Sequence, residues 1–247
     1  MSNICEFYLS GSKGSFNETR MLCVTVETKW LLSALSPNKK RPTLPRLIVD
    51  NNTMSVQHFY DGGSGMRATS KLLPTNNDNM CFEMSETVRR FLSCCSSFKS
   101  VTFHLNGSGL TMLLESSCSA LQYNMPYVKV VPPLSMPKSE QDIELRVPTE
   151  EWLNVWHTIP VKGDVEIACT ARRRAITLKH SKGRWGCAVQ ASEVACKNAS
   201  FVCDSRVAKA VFVDVIASGA FCSLVLKANG VMCCQVGNVT VFLSPKV

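Results

Sequence analysis

Four histidines, thirteen cysteines and two glycine-rich turns are the residues of this chain that could carry catalytic or metal chemistry. Their spacing argues against it. His58, His104, His157 and His180 are scattered along the sequence, and no HExxH zinc motif or paired CxxC motif gathers ligands on one element. There is also no GxxxxGK[ST] phosphate loop and no GxSxG nucleophile elbow. Asp61-Gly62-Gly63-Ser64-Gly65-Met66 and Asn106-Gly107-Ser108-Gly109 share only glycine content with phosphate-cradling loops, and hairpin turns account for both. The cysteines include the adjacent pairs Cys94-Cys95 and Cys233-Cys234, and most sit in apolar runs. They read as small buried hydrophobes and not as a disulfide framework. The sequence therefore predicts no catalytic residues, no metal and no cofactor, and it predicts that the protein is not an enzyme.

The chemistry that remains is that of charge. Lys and Arg total 27 against 19 Asp and Glu, a formal charge of +8, which favours an anionic partner. The basic residues fall at related places. Lys39-Lys40-Arg41 follows a first helical pattern, Arg89-Arg90 lies within a second, Lys162 follows a third, and Arg206 and Lys209 are three apart on a fourth. If the helices line one face, these side chains meet phosphates together and give affinity with little base readout. A second concentration, Arg172-Arg173-Arg174 with Lys179, Lys182 and Arg184, follows the third helix.

The elements that must position these cations are mostly strands. Stretches at 47–49, 101–105, 111–114, 143–147, 165–169, 175–178, 222–226 and 239–243 are β-branched or alternating, and turn signals separate them. Four short helices interrupt them. The first covers about Glu27 to Leu35, and the second follows a capping Ser85 and runs to about Cys95. The third starts near Pro148-Thr149-Glu150-Glu151 and buries Trp152, Val155, Trp156 and Ile159. The fourth follows Asp204-Ser205 with Val207, Ala208, Val211, Phe212 and Val215 as its apolar face. Taking starts at 28, 85, 149 and 205, the first and third helices lie 121 residues apart (28 to 149) and the second and fourth 120 apart (85 to 205). The chain thus reads as doubled, each half being two copies of strand, helix and about three strands. This predicts an α+β fold of two similar domains, residues 1–123 and 142–247, joined by a connector at 124–141. That connector holds four prolines but also Tyr127, Val128, Val130, Val131, Leu134 and Met136, more apolar material than a passive linker needs.

Other features bound the setting. At 247 residues, 45% hydrophobic and 19% charged, the chain has ordinary globular composition. No run of 18 apolar residues occurs, and the N-terminus lacks a signal-peptide core, so an intracellular protein without membrane contact is expected. The sequons at Asn17, Asn51, Asn106, Asn198 and Asn238 are then chance matches.

The doubled pattern, the connector and two local stretches resemble the DNA sliding-clamp family, the proliferating cell nuclear antigen and its viral processivity-factor relatives. Ile143-Glu144-Leu145-Arg146-Val147-Pro148-Thr149-Glu150-Glu151-Trp152 resembles the strand and helix entry after the connector. Val239-Thr240-Val241-Phe242-Leu243-Ser244-Pro245-Lys246-Val247 resembles the closing strand and its tail. The resemblance implies helices lining a central opening, sheets outside them, and domain edges that pair between subunits in a homo-oligomer, trimer or dimer. It implies a processivity factor that encircles or clasps duplex DNA without sequence specificity and tethers a DNA polymerase. Arg89, Arg90, Lys162, Arg206 and Lys209 would face DNA, with Lys39, Lys40 and Arg41 in a nearby loop. Tyr127, Val128, Val130, Val131 and Leu134 would border a groove for partner peptides, beside Ser244, Pro245 and Lys246. The charge of +8 is more like the viral members than the acidic cellular clamps, and a nuclear or viral replication site follows.

Two other functions compete with this one. A checkpoint-type clamp or transcription accessory subunit would prefer a heteromeric partner over self-assembly. A structural or protein-interaction module would use its basic patches only for solubility and would show little salt dependence toward DNA.

Overall fold

The computed structural model describes residues 22–35, 44–50, 52–61, 64–73, 80–106, 109–125, 129–130, 143–170, 174–194, 198–227 and 231–246. Four times the chain runs strand, helix, then three strands. The first copy is β1 (Leu22–Glu27), α1 (Thr28–Leu35), β2 (Arg46–Asp50), β3 (Thr53–Tyr60) and β4 (Gly65–Leu72). The second is β5 (Met80–Glu83), α2 (Glu86–Cys94), β6 (Ser100–Asn106), β7 (Gly109–Glu115) and β8 (Ala120–Met125), followed by the short β9 (Lys129–Val130). The third is β10 (Ile143–Pro148), α3 (Thr149–Thr158), β11 (Asp164–Thr170), β12 (Ala175–His180) and β13 (Gly186–Gln190), followed by β14 (Glu193–Val194). The fourth is β15 (Ala199–Asp204), α4 (Ser205–Phe212), β16 (Phe221–Leu226), β17 (Met232–Val236) and β18 (Val239–Leu243). The α+β expectation and its repeated unit are met, and the helices start within one residue of the positions read from the sequence.

The chain forms two compact units. Of the described residues, the first holds those within 22–35, 44–57 and 70–130, and the second those within 58–69 and 143–246, so the end of β3 and most of β4 belong to it. Within each unit, neighbouring copies exchange their first strands. In the first unit β1 pairs antiparallel with β6 to give the order β1-β6-β7-β8, while β5 pairs with β2. In the second, β10 pairs with β16, and β15 pairs with β11 to give β13-β12-β11-β15. β18 also pairs with β4, from Val239 opposite Thr69 to Leu243 opposite Gly65.

Each helix lays one apolar face on these strands. In the first unit Leu31, Ala34 and Leu35 of α1 and Val88 and Leu92 of α2 join a buried cluster with Val24, Phe82, Phe103 and Met112. In the second, α3 and α4 meet through aromatic rings. Trp156 stacks on Phe212 with centroids 4.7 Å apart at 7°, and Trp152 stands edge-on to Trp156 at 5.3 Å. Side chains of this size each contribute about 1.5–3 kcal/mol on full burial, before the added ring–ring attraction. All five residues expected to form the core face of α4 are buried, Val215 included. Cys81, Cys95, Cys169, Cys203, Cys222 and Cys234 are buried. Burial pushes the Cys81 thiol up to about 11, which fits a packing role.

Gly65 marks where β4 approaches α4. A Cβ there would lie 2.8 Å from Val207 Cγ1 and 2.9 Å from Val211 Cγ1, with Leu243 Cδ2 at 3.6 Å. Overpacking of this kind typically costs about 1–3 kcal/mol. Gly65→Ala is accordingly expected to lower the unfolding free energy by that amount, read as a lower urea midpoint with an unchanged slope. An unchanged midpoint would show that α4 is not held against this strand.

Candidate functional site

The solvent faces of α2 and α4 carry the cations singled out in the sequence. α2 begins as its capping signal requires, with the Val88 amide donating to Ser85 Oγ at 3.3 Å. Val88 and Leu92 point into the core, which leaves Arg89 and Arg90 on the outer side. One carboxylate serves both. Arg89 donates to Glu86 through Nε and Nη2, each at 3.0 Å, and Arg90 through Nε at 3.1 Å. Hydrogen bonds from Arg89 and then Arg90 hold the Glu86 carboxyl below its ordinary pKa.

α4 is capped by Asp204, whose carboxylate accepts from the amides of Arg206 (2.7 Å) and Val207 (3.1 Å). Its buried stripe of Val207, Ala208, Val211 and Phe212 turns Arg206 outward, where it pairs with Asp61 just past the end of β3. Lys209 follows one turn later and donates to the carbonyls of His157 (2.9 Å) and Ile159 (3.2 Å). It thereby neutralises the negative C-terminal end of α3. Lys162 is exposed on the turn after α3. The outer face of α3 itself carries Glu150, Glu151, Asn154 and His157, so this helix presents acid at its start and no cationic stripe. Lys39, Lys40 and Arg41 lie outside the described residues.

Among the residues expected to meet partner peptides, Val130 lies in β9, which pairs antiparallel with β5 so that Val130 stands opposite Phe82 in the register. Part of the connector is thus fixed to a sheet edge, and Lys129 reinforces it through Glu83 at 3.3 Å. Tyr127, Val128, Val131 and Leu134 lie outside the described residues. At the other end of the chain, the Ser244 amide donates to the Ser64 carbonyl, and the Lys246 amide donates to the Val202 carbonyl, both at 2.8 Å. The Lys246 ammonium reaches both oxygens of Asp164 at 2.8 and 2.9 Å, which raises its pKa. Ser244-Pro245-Lys246 therefore links the β3–β4 turn, β15 and the start of β11 within the second unit.

Sequence reading missed the counter-ions. Asp61, Glu86 and Asp164 each engage a candidate cation, and only Glu86 stands at a helical three- and four-residue spacing that could have revealed it. Arg67 was also invisible. It is buried on β4 with Asp214 at 3.9 Å, and burial lowers its pKa. That positive charge belongs to the interior and is not available to a ligand.

The sequence matches no protein-family model and no curated protein. Solved structures do match. The β subunit of DNA polymerase III from Thermotoga maritima superposes with a TM-score of 0.63 at 11% identity, covering 99% of this chain and 68% of that one. A DNA polymerase sliding clamp from Pseudomonas aeruginosa gives 0.63 at 9% identity over 92% of this chain and 66% of that one. The β subunit from Streptococcus pyogenes gives 0.60 at 11%, over 95% and 68%. The fold is that of the DNA polymerase sliding clamps. At such identities the likeness is one of architecture, and the chain spans about two thirds of each of these relatives.

The Glu86 fork makes a pH-dependent contribution whose sign is fixed. Its folded pKa lies below the unfolded one, so the stabilisation is present above the ordinary carboxyl range and is lost as pH falls through the depressed value. The stability gap between wild type and Glu86→Gln is therefore expected to be constant near neutrality and to close in acid. A gap that persists below the carboxyl range would mean that the substitution disturbs α2 by some other route.

Proposed function

We propose that this protein is a non-enzymatic DNA polymerase processivity factor. In this reading it holds duplex DNA without reading its sequence and tethers the polymerase through the region of the connector and the C-terminal segment. The observation that carries the reading is the sliding-clamp fold over nearly the whole chain, combined with α2 and α4 turning Arg89, Arg90, Arg206 and Lys209 to solvent. Exposed ion pairs are individually weak, so a phosphate can replace Glu86 or Asp61 at little cost. Residues 1–123 and 142–247 are the two clamp domains in this reading, and 124–141 is the connector. The charge of +8 supports kinship with the positively charged viral factors and a replication site as the location.

Self-assembly follows from sheet edges. β8 ends the order β1-β6-β7-β8 in the first unit, and β13 ends β13-β12-β11-β15 in the second. β8 is largely exposed, with Leu121 39% accessible. Among the described residues no strand pairs with its outer side, and such an edge is a template for antiparallel pairing with another copy of the chain.

Native mass spectrometry should find an assembly above the 27.2 kDa protomer, and duplex binding should fall by orders of magnitude as salt rises. Replacing Arg89, Arg90, Arg206 and Lys209 by Ala should flatten the dependence of log K on log salt by about 0.9 for each phosphate no longer engaged, with the fold retained by circular dichroism. Retention on circular DNA that disappears on linearisation identifies enclosure. A monomer that binds neither form would sink the proposal.

A further inference from the structure

Cations available to an anion also lie outside the helices. Arg89, Arg90, Arg206, Lys209 and Lys246 all have internal partners. Lys162, Lys182 and Arg184 are exposed, and none of the side-chain hydrogen bonds or ion pairs among the described residues is made by their charged groups. They stand on two turns of the second unit, one between α3 and β11 and the other between β12 and β13.

These two turns are stitched together. The Ser181 amide donates to the Asp164 carbonyl at 2.8 Å, and the Asp164 amide returns a bond to Ser181 Oγ at 3.1 Å. Gly163, at φ +130°, lies so close to the second turn that a Cβ would be 2.8 Å from both His180 Cε1 and Ser181 Oγ. Within the second turn the His180 ring accepts from the Lys182 amide at 3.3 Å, and the Gly183 amide donates to the His180 carbonyl at 2.9 Å. Gly183 itself sits at φ +69°. The backbones that carry Lys162, Lys182 and Arg184 are therefore fixed relative to one another before any ligand arrives.

The surrounding acids are already engaged. The Asp164 carboxylate is taken by Lys246, and Asp204 caps α4. Glu166 accepts from Ser200 and lies across the ladder from Lys179, two strand positions from this end of the sheet. The α3 carbonyls that would repel an anion are covered by Lys209. The outward charge left on this end of the unit is a rigid trio of uncompensated cations.

We infer that the paired α3–β11 and β12–β13 turns form a second contact with the phosphate backbone of duplex DNA, made by Lys182 and Arg184 together with Lys162 and separate from the cations of α2 and α4. This rests on the DNA-binding reading above and adds to it a surface outside the helices. Lys182 and Arg184 flank a glycine turn and have no base-reading geometry around them, so the contact is one of charge and position.

The test is the salt dependence of full-chain binding to a fluorescent duplex, measured by anisotropy for wild type, Lys182→Ala/Arg184→Ala, and the triple variant that adds Lys162→Ala. The expected result is a slope shallower by about 1.8 for the double variant and about 2.7 for the triple, at 0.9 per phosphate released. Lys99→Ala, an exposed cation of the first unit, should leave the slope unchanged and so separates a local contact from a general fall in net charge. A wild-type protein with no salt-sensitive duplex binding overturns the processivity reading and this inference with it. Wild-type binding with unchanged slopes in the double and triple variants overturns this inference alone. So does a loss confined to another polyanion such as heparin.

Discussion

Three of the four helices are entered from a strand with no intervening loop, and that junction fixes most of the architecture around it. β1 ends at Glu27 and α1 begins at Thr28, β10 gives way to α3 at Thr149, and β15 to α4 at Ser205. The first amide of a helix has no partner inside it. Here it is satisfied from the strand that the neighbouring copy lends. The Thr28 amide donates to the Lys99 carbonyl at 3.1 Å, Thr149 to Ala220 at 3.0 Å, and Ser205 to Gly163 at 3.0 Å. In each case the accepting carbonyl lies just before the strand that pairs with the one entering the helix. The fourth junction differs only by a Ser85 cap, with the Met84 amide donating to the Pro45 carbonyl at 2.8 Å. Strand exchange and helix entry are thus a single hydrogen-bonded unit.

That coupling sets which way the helical side chains point. Asp204 is both the last partner of Asp164 in the β11–β15 ladder and the cap of α4. A slip of one residue in that ladder would move every side chain of β15 to the other face and would carry the cap with it. Arg206 and Lys209 face outward because Val207, Ala208, Val211 and Phe212 are held inward by a helix whose start the ladder determines. The direction of the surface cations is a consequence of sheet register as much as of helical periodicity.

The helices were legible because their signals are local. Ser85 and Asp204 cap where an oxygen is needed, and Trp152, Val155, Trp156 and Ile159 recur at spacings that only a helix turns to one side. The repeat was legible because the same unit recurs at nearly constant intervals. Two kinds of feature were not. β9 and β14 are two residues long and exist only because β5 and β10 offer an edge, so no composition marks them. The partners of Arg206, Lys246 and Arg67 come from segments distant in sequence, and no alternation or spacing connects Arg206 with Asp61. Long-range electrostatics requires the fold before it can be read.

Those long-range partners change what the net charge means. A count of +8 treats every cation as available, yet Arg67 is interior, Arg89 and Arg90 share one carboxylate, and Arg206 and Lys246 are each held by an aspartate. An exposed carboxylate competes with a phosphate for the same guanidinium, so exchanging one for the other releases little free energy. Attraction then comes mainly from counterions released by the polyanion and not from a few deep contacts. In the proposed DNA-binding reading, contacts built on such exchange would have no strongly preferred position, because each cation could return to its own carboxylate while a duplex shifted by a phosphate. Lys162, Lys182 and Arg184 have no carboxylate partner among the described residues, so in the proposed reading they would hold a phosphate longer than the paired cations of α2 and α4.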